Sequence, residues 1–276
     1  MNNTVVRTLS GLVYGALIFL CLLVNGYLFA ALIIFMMCVM MAEFYKMTMG
    51  ESYKKLQGTA IFAGIFIFLL ANTYIFGSGK PWLIGFGILM VLMIMILSLF
   101  EKDHTDFQKT GFLYAGLLYI AIPIALSNFV VCKDGAFSGL LMVAFFCIIW
   151  ASDVGAYCFG MLLGRKVWTK KMCPSISPKK SWAGFWGGML MAVLAGAILY
   201  WTGLFTFPIW HCLIVAALMH VAGVFGDLFE SLWKRSAGVK DSGNLIPGHG
   251  GLLDRFDSAL FAIPVGVIYL LLVRML

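Results

Sequence analysis

Between Gly226 and Ser258 the chain gathers residues able to do phosphate chemistry. It reads Gly226-Asp227-Leu-Phe-Glu230-Ser231-Leu-Trp-Lys234-Arg235, then Lys240-Asp241, then Pro247-Gly248-His249-Gly250-Gly251-Leu-Leu-Asp254-Arg255-Phe-Asp257-Ser258. On a helix, Asp227, Glu230, Ser231, Lys234 and Arg235 share one polar stripe of an otherwise apolar surface. Asp254 and Asp257, at i and i+3 of a following helix, can face the same space. The glycines between them carry no side-chain bulk, so backbone can approach a ligand closely. Carboxylates from two helices beside several cations suit a divalent ion bound to phosphates, because Mg²⁺ takes a few carboxylates plus phosphate oxygens rather than a full protein cage. Cations and metal together would offset charge on a phosphoryl group in transfer. The blander alternative is a salt-bridged loop that orders the helices. His249 alone could equally be a structural histidine; within this loop it reads as a substrate contact.

Two earlier segments add to this set. Asp153, in Trp150-Ala-Ser-Asp153-Val-Gly-Ala-Tyr157, stands inside an apolar run. An acidic group at a helix centre costs about 2.5–3.5 kcal/mol on insertion scales, so it needs a partner or a wet cavity. It either lines a polar site or caps and pairs near the interface. In Ser177-Pro178-Lys179-Lys180-Ser181, hydroxyls and a lysine pair precede a new apolar run. Pro178 and Ser181 suit entry into a helix. Hydroxyls, lysines and a helix N-terminus make a good phosphate site, although a cytoplasmic basic anchor has the same composition.

The elements that position these groups follow from composition. Hydrophobic residues make up 62% of 276 and charged residues 11%, against roughly 25% charged in a soluble domain. So few charges cannot cover a water-soluble surface, whereas lipid tolerates an apolar exterior. Apolar runs near 8–24, 27–45, 58–76, 81–100, 111–131, 136–163, 182–203, 208–233 and 257–275 predict an all-α, polytopic transmembrane helix bundle of about nine spans. The first two runs are separated only by Asn25-Gly26, a turn dipeptide, which makes a hairpin a better fit than one helix of about 50 Å. Arg7 precedes the first run with no small-residue cleavage site after it, so that run is expected to remain as a helix.

With nine spans, sixteen of the nineteen Lys and Arg residues fall on the side of the N-terminus, leaving Lys80, Lys133 and Arg274 opposite. The positive-inside rule places the crowded side in the cytoplasm. The net charge of +7 is therefore an orientation signal rather than a nucleic-acid signal. Seven cysteines without a CxxC pair read as small apolar side chains. Polar chemistry concentrates after Trp150, which divides the chain into a scaffold half, 1–135, and a working half, 136–276. No internal repeat is visible, which disfavours inverted-repeat transporters. Gly160/Gly164 and Gly184/Gly188 suit close helix packing.

The 27 residues from Ser231 to Asp257, with the lysine–arginine pair, Lys240-Asp241 and the Pro-Gly-His-Gly-Gly loop at intact spacing, resemble the signature of the phosphatidate cytidylyltransferase (CDP-diacylglycerol synthase) family. The Ser-Pro-Lys-Lys-Ser segment and the Asp153 segment, continuing to Gly164-Arg165, are similar to that family as well. Ala183 stands where the family pattern has Glu or Gln. The resemblance implies a transferase making CDP-diacylglycerol and pyrophosphate from CTP and phosphatidic acid. It implies Mg²⁺, with room for a second cation, held by Asp227 and Asp254. Lys240 and Arg255 join those two as catalytic candidates. Ser177, Lys179, Lys180, Ser181, Lys234 and Arg235 would bind substrate phosphates, His249, Gly250 and Gly251 would shape the nucleotide site, and Asp153 would line the cavity. Such an enzyme belongs in the plasma membrane with its site toward cytoplasmic CTP, and a homodimer is compatible with it. The competing readings are a CTP-dependent lipid-alcohol kinase, which would release CDP, and a transporter, which would not need CTP. A CDP-alcohol phosphotransferase is disfavoured, since its run of aspartates around an Ala-Arg pair is absent.

Overall fold

A computed structural model of the chain describes residues 3–77, 79, 82–101, 106–164, 167–245 and 250–276. Helices account for the apolar runs: α1 (Asn3–Val24), α2 (Gly26–Met49), α3 (Lys54–Ile75), α4 (Trp82–Ser98), α5 (Phe107–Val130), α6 (Leu140–Leu162), α7 (Trp182–Trp201), α8 (Ile209–Ser236) and α9 (Leu253–Leu272). Seven of these, α2, α3 and α5 to α9, are long and apolar enough to cross a bilayer; Gly15–Val24 of α1 and the whole of α4 are shorter apolar helices. The chain is thus an all-helical, multi-pass membrane protein.

It forms two compact units, residues 1–138 with 237–255, and residues 139–236 with 256–276. In the first unit α1 packs on α2, α2 and α4 pack on α3, and α5 packs on α2 and α3. The break between α1 and α2 is a single residue. Asn25 adopts an extended backbone, and its side-chain oxygen accepts from the Tyr27 amide at 2.7 Å, an N-cap that starts α2 afresh. The α2 face that meets its neighbours is built from Met36, Met37, Met40, Met41, Phe44 and Tyr45, all buried. By contrast α4 buries only Gly87, Ile94 and Ser98 and leaves Ile84, Phe86, Ile88, Leu89 and Leu92 exposed, the surface of a helix whose solvent is lipid. A wide π-helical turn at Leu117–Ala121 precedes Pro123 in α5. Proline lacks the N–H that the preceding turn would bond, and a wide turn absorbs the mismatch.

The second unit holds α6, α7, α8 and the body of α9. The crossing of α6 and α7 is close enough for backbone to meet backbone: a Cβ on Gly184 would stand 2.9 Å from the Ala156 carbonyl oxygen, and one on Gly188 2.9 Å from that of Ser152. This is the small-residue contact that the glycine spacing predicts, and it substitutes close van der Waals packing for a hydrophobic driving force that lipid does not supply. At 28 residues α8 runs about 42 Å, beyond the roughly 30 Å hydrocarbon core. Its overhanging last turn carries Lys234 and Arg235, which complement the helix dipole.

Two small antiparallel ribbons interrupt the helices. Residues Cys132–Lys133 (β1) pair with Ala136–Phe137 (β2) around Asp134-Gly135, both at positive φ (52° and 77°) as a tight hairpin turn requires. Residues Lys171–Cys173 (β3) pair with Ser177–Ser181 (β4). The second ribbon corrects the reading of Pro178 as a helix-entry residue: it lies in β4, and the helix begins at Trp182.

Candidate active site

In the second unit the site is organised by β4 and α8. Ser181 ends β4 and caps α7, its hydroxyl accepting from the Gly184 amide at 3.2 Å. Because successive strand residues point to opposite faces, this fixed end orients the lysine pair unequally. Lys180 Nζ lies 2.7 Å from Asp227 Oδ2 and donates to the Val224 carbonyl at 3.1 Å, both on α8. Lys179 is exposed, as Ser177 partly is. The sequence presents the two lysines as one pair; the ribbon assigns only Lys180 to the carboxylates.

Asp227 is about one-third exposed, and its Oδ1 accepts from Ser231 at 3.4 Å. Asp257 lies within electrostatic reach of Asp227, Asp153 and Lys180, with its Oδ1 accepting from the Ser258 amide at 2.6 Å. Asp153 itself is exposed on α6. Asp153 of α6, Asp227 of α8 and the Lys180 ammonium thus all lie within electrostatic reach of Asp257 at the start of α9. Further along the α8 stripe, Lys234 forms an ion pair with Glu230, whose side chain is fully buried, while Arg235 is exposed. The stripe read from spacing is real, but its members are divided among partners: Asp227 faces Lys180, and Glu230 faces Lys234.

In the first unit the signature loop closes on two carboxylates. Asp254 Oδ2 accepts from the Gly251 amide (2.8 Å), the Ser242 amide (2.9 Å) and the Ser242 hydroxyl (3.0 Å). Glu43 of α2 accepts from the Leu252 amide at 3.0 Å through Oε1 and from the Leu253 amide at 2.9 Å through Oε2. Gly250 has a φ of +88°, and a Cβ there would stand 2.7 Å from Asp254 Oδ2. Lys240, Asp241 and Arg255 of this loop are exposed. His249 lies outside the described residues, as do Pro247, Gly248, Arg165 and Lys166.

Asp254 and Asp257 therefore keep different company, the first with Ser242 and Gly251, the second with Asp227, Asp153 and Lys180. The helical run between them is interrupted by a turn at Asp257 and Ser258. Glu43 is the residue that spacing arguments passed over. Its signal was an acidic side chain inside the apolar run 27–45, the same signal that singled out Asp153.

The donor set around Asp227 fits a magnesium ion. Among the described residues no three His, Cys, Asp or Glu side chains form a cage that could hold a metal by themselves. Mg²⁺ needs no such cage when phosphate oxygens complete its shell. Asp227, about one-third exposed and with Asp257 in electrostatic reach, has the chemistry of such a site. Asp254 differs, because its Oδ2 already serves three donors.

Comparison with known proteins identifies the family. A family model described as "Cytidylyltransferase family" matches residues 5–273. The chain is 36% identical over 264 residues to the phosphatidate cytidylyltransferase of Bacillus subtilis, covering 94% of each protein. It is 33% identical to those of Staphylococcus epidermidis and Staphylococcus aureus, covering 94% of this chain and 96% of theirs. The chain is thus related over 94% of its length to these enzymes, and it belongs to the cytidylyltransferase family.

Proposed function

We propose that this chain is a phosphatidate cytidylyltransferase, joining CTP to phosphatidic acid to give CDP-diacylglycerol and pyrophosphate. The observation that carries the proposal is the centre of the second unit, where Lys180 bonds Asp227, and Asp227, Asp153 and Lys180 all lie in electrostatic reach of Asp257. One ammonium among several carboxylates is suited to a metal-bound polyphosphate, and the names of the relatives supply the two substrates.

In the reaction an oxygen of the lipid phosphate attacks the α-phosphorus of CTP. The bond from that phosphorus to the bridging oxygen breaks, and pyrophosphate leaves with the electron pair. The attacking phosphate is already ionised, so no side-chain nucleophile is required, and catalysis rests on positioning and charge stabilisation. Asp227 would hold Mg²⁺, which when bound supplies Lewis-acid neutralisation of phosphate charge. Asp254, assigned to metal on the resemblance, holds its loop through Oδ2. A second cation remains part of the proposal. Lys180 orients Asp227 and offers positive charge to a phosphate. The exposed cations Lys179, Arg235, Lys240 and Arg255 are assigned to substrate phosphates, with Lys234 acting from its pair with Glu230. Ser177, Ser181, Gly250 and Gly251 would shape the binding surfaces, as would His249.

The proposal includes nine spans, a cytoplasmic N-terminus and a site facing the cytoplasm from the plasma membrane, supported by the sixteen-to-three partition of basic residues. A homodimer is compatible with it, and light scattering of the detergent-extracted protein measures that. Purified protein given CTP, phosphatidic acid and Mg²⁺ should release pyrophosphate and form a nucleotide-lipid. Release of CDP with phosphorylation of a lipid alcohol would make it a kinase, and solute flux across liposomes without CTP use would make it a transporter.

A further inference from the structure

We propose that Glu43, on a helix far from the signature in sequence, is a positioning residue for the transferase reaction: it pins the loop that carries Lys240, Gly250, Gly251, Asp254 and Arg255. The inference rests on the function proposed above. Glu43 is the only acidic residue of α2. Both of its oxygens are used, Oε1 by the Leu252 amide and Oε2 by the Leu253 amide, across 209 and 210 residues of sequence. Those amides open α9, where the first N–H groups have no partner within the helix. A local Ser, Thr or Asp usually meets that need. Here a carboxylate from another helix does so, and the negative charge also suits the positive end of the helix dipole.

The loop is shaped around this carboxylate on two sides. A Cβ on Gly243 would stand 2.6 Å from Glu43 Oε1, and one on Gly251 2.7 Å from Oε2. Neither position has room for a side chain, so backbone passes directly against the carboxylate as the loop begins and as it ends. Ser242 links this anchor to the next: its hydroxyl lies 3.0 Å from Asp254 Oδ2 and 3.5 Å from Glu43 Oε2. A two-oxygen acceptor at 43 therefore fixes the backbone immediately before Asp254 and Arg255, with both of its oxygens engaged by loop amides. A group that acts this way should alter turnover more than substrate affinity, because it sets the geometry reached in the transition state.

The test compares full-length Glu43→Gln and Glu43→Asp in lipid or detergent. Gln keeps the shape but turns an NH₂ toward an amide N–H. We expect kcat to fall on the order of 10²-fold, the scale of a small misplacement at the reacting atoms, with the KM for CTP little changed. Hydrogen exchange at residues 250–253 should speed up while the thermal midpoint stays near that of the parent. Asp, which restores both acceptor oxygens on a shorter stem, should recover part of the lost kcat. Gly243→Ala, which crowds the same carboxylate from the loop side, should reproduce the loss and substitutes for Gln if that variant does not accumulate. A parental kcat in Glu43→Gln or Gly243→Ala, a loss matched by loss of folded protein, or an Asp variant no better than Gln overturns the proposal. A parent protein that makes no CDP-diacylglycerol would refute the function reading alone, and unaltered exchange at 250–253 in Glu43→Gln would still refute the pinning.

Discussion

Lys180 and Asp227, 47 positions apart, meet at 2.7 Å because a two-stranded ribbon turns one lysine of an adjacent pair toward α8 and leaves the other exposed. The pair should therefore respond unequally to substitution. Lys180→Ala should lower kcat/KM on the order of 10²–10³-fold, the scale of losing one charge-stabilising donor. Lys179→Ala should cost far less. Initial rates at varied CTP measure both, and equal losses would mean that strand alternation does not assign their roles.

Asp227→Asn removes the carboxylate assigned to Mg²⁺ and the partner of Lys180. Activity should fall below detection with the amount of folded protein in the membrane unchanged. Chelation of divalent ions should silence the parent enzyme, with Mg²⁺ restoring it. Near-normal turnover of the Asn variant at ordinary Mg²⁺ would remove Asp227 from the site.

The Glu230–Lys234 pair is almost wholly buried, with side chains 0% and 12% exposed. Removing one partner from a pair buried this deeply costs about 3–5 kcal/mol. Lys234→Met should therefore lower the thermal midpoint strongly, and Lys234→Met with Glu230→Leu should recover most of it. The Glu51–Lys54 pair is exposed at both ends. Lys54→Met should leave the midpoint where it is, as exposed ion pairs usually do. Denaturation of the four proteins in one detergent decides it.

Gly188→Val tests the α6–α7 crossing. The new Cβ would meet the Ser152 carbonyl oxygen and, at 2.6 Å, Cε1 of buried His220, which also bonds Ser152 at 2.7 Å. Overpacking of this kind costs about 1–3 kcal/mol. The variant should melt early and accumulate poorly, whereas Gly15→Ala, with nothing within 4 Å, should behave as the parent.

Much of this was legible in the sequence because lipid imposes a simple rule: every backbone group must be satisfied within its own helix, so each long apolar run becomes one. Asn25-Gly26 gave away the break between α1 and α2 as a turn dipeptide, and Gly184 and Gly188 gave away a helix crossing by their spacing. The β3–β4 ribbon was not legible, since Ser-Pro-Lys-Lys-Ser lacks the alternation of apolar and polar residues by which strands are recognised. The different company of Asp254 and Asp257 was hidden as well. Spacing puts two residues on one helix face but cannot foresee the turn at Asp257 and Ser258, or the Ser242 and Gly251 donors that draw Asp254 to its own loop. Glu43 carried a signal, but its partners lie more than 200 residues away, beyond any local pattern.

The most direct test follows the phosphorus atoms. Purified protein in phosphatidic acid-containing vesicles with Mg²⁺ should be given CTP labelled at the α-phosphorus in one reaction and at the γ-phosphorus in another. The account predicts that α-label enters the lipid and γ-label leaves as pyrophosphate, in equal amounts. Gamma-label in the lipid, or no CTP-dependent transfer by folded protein, would contradict it.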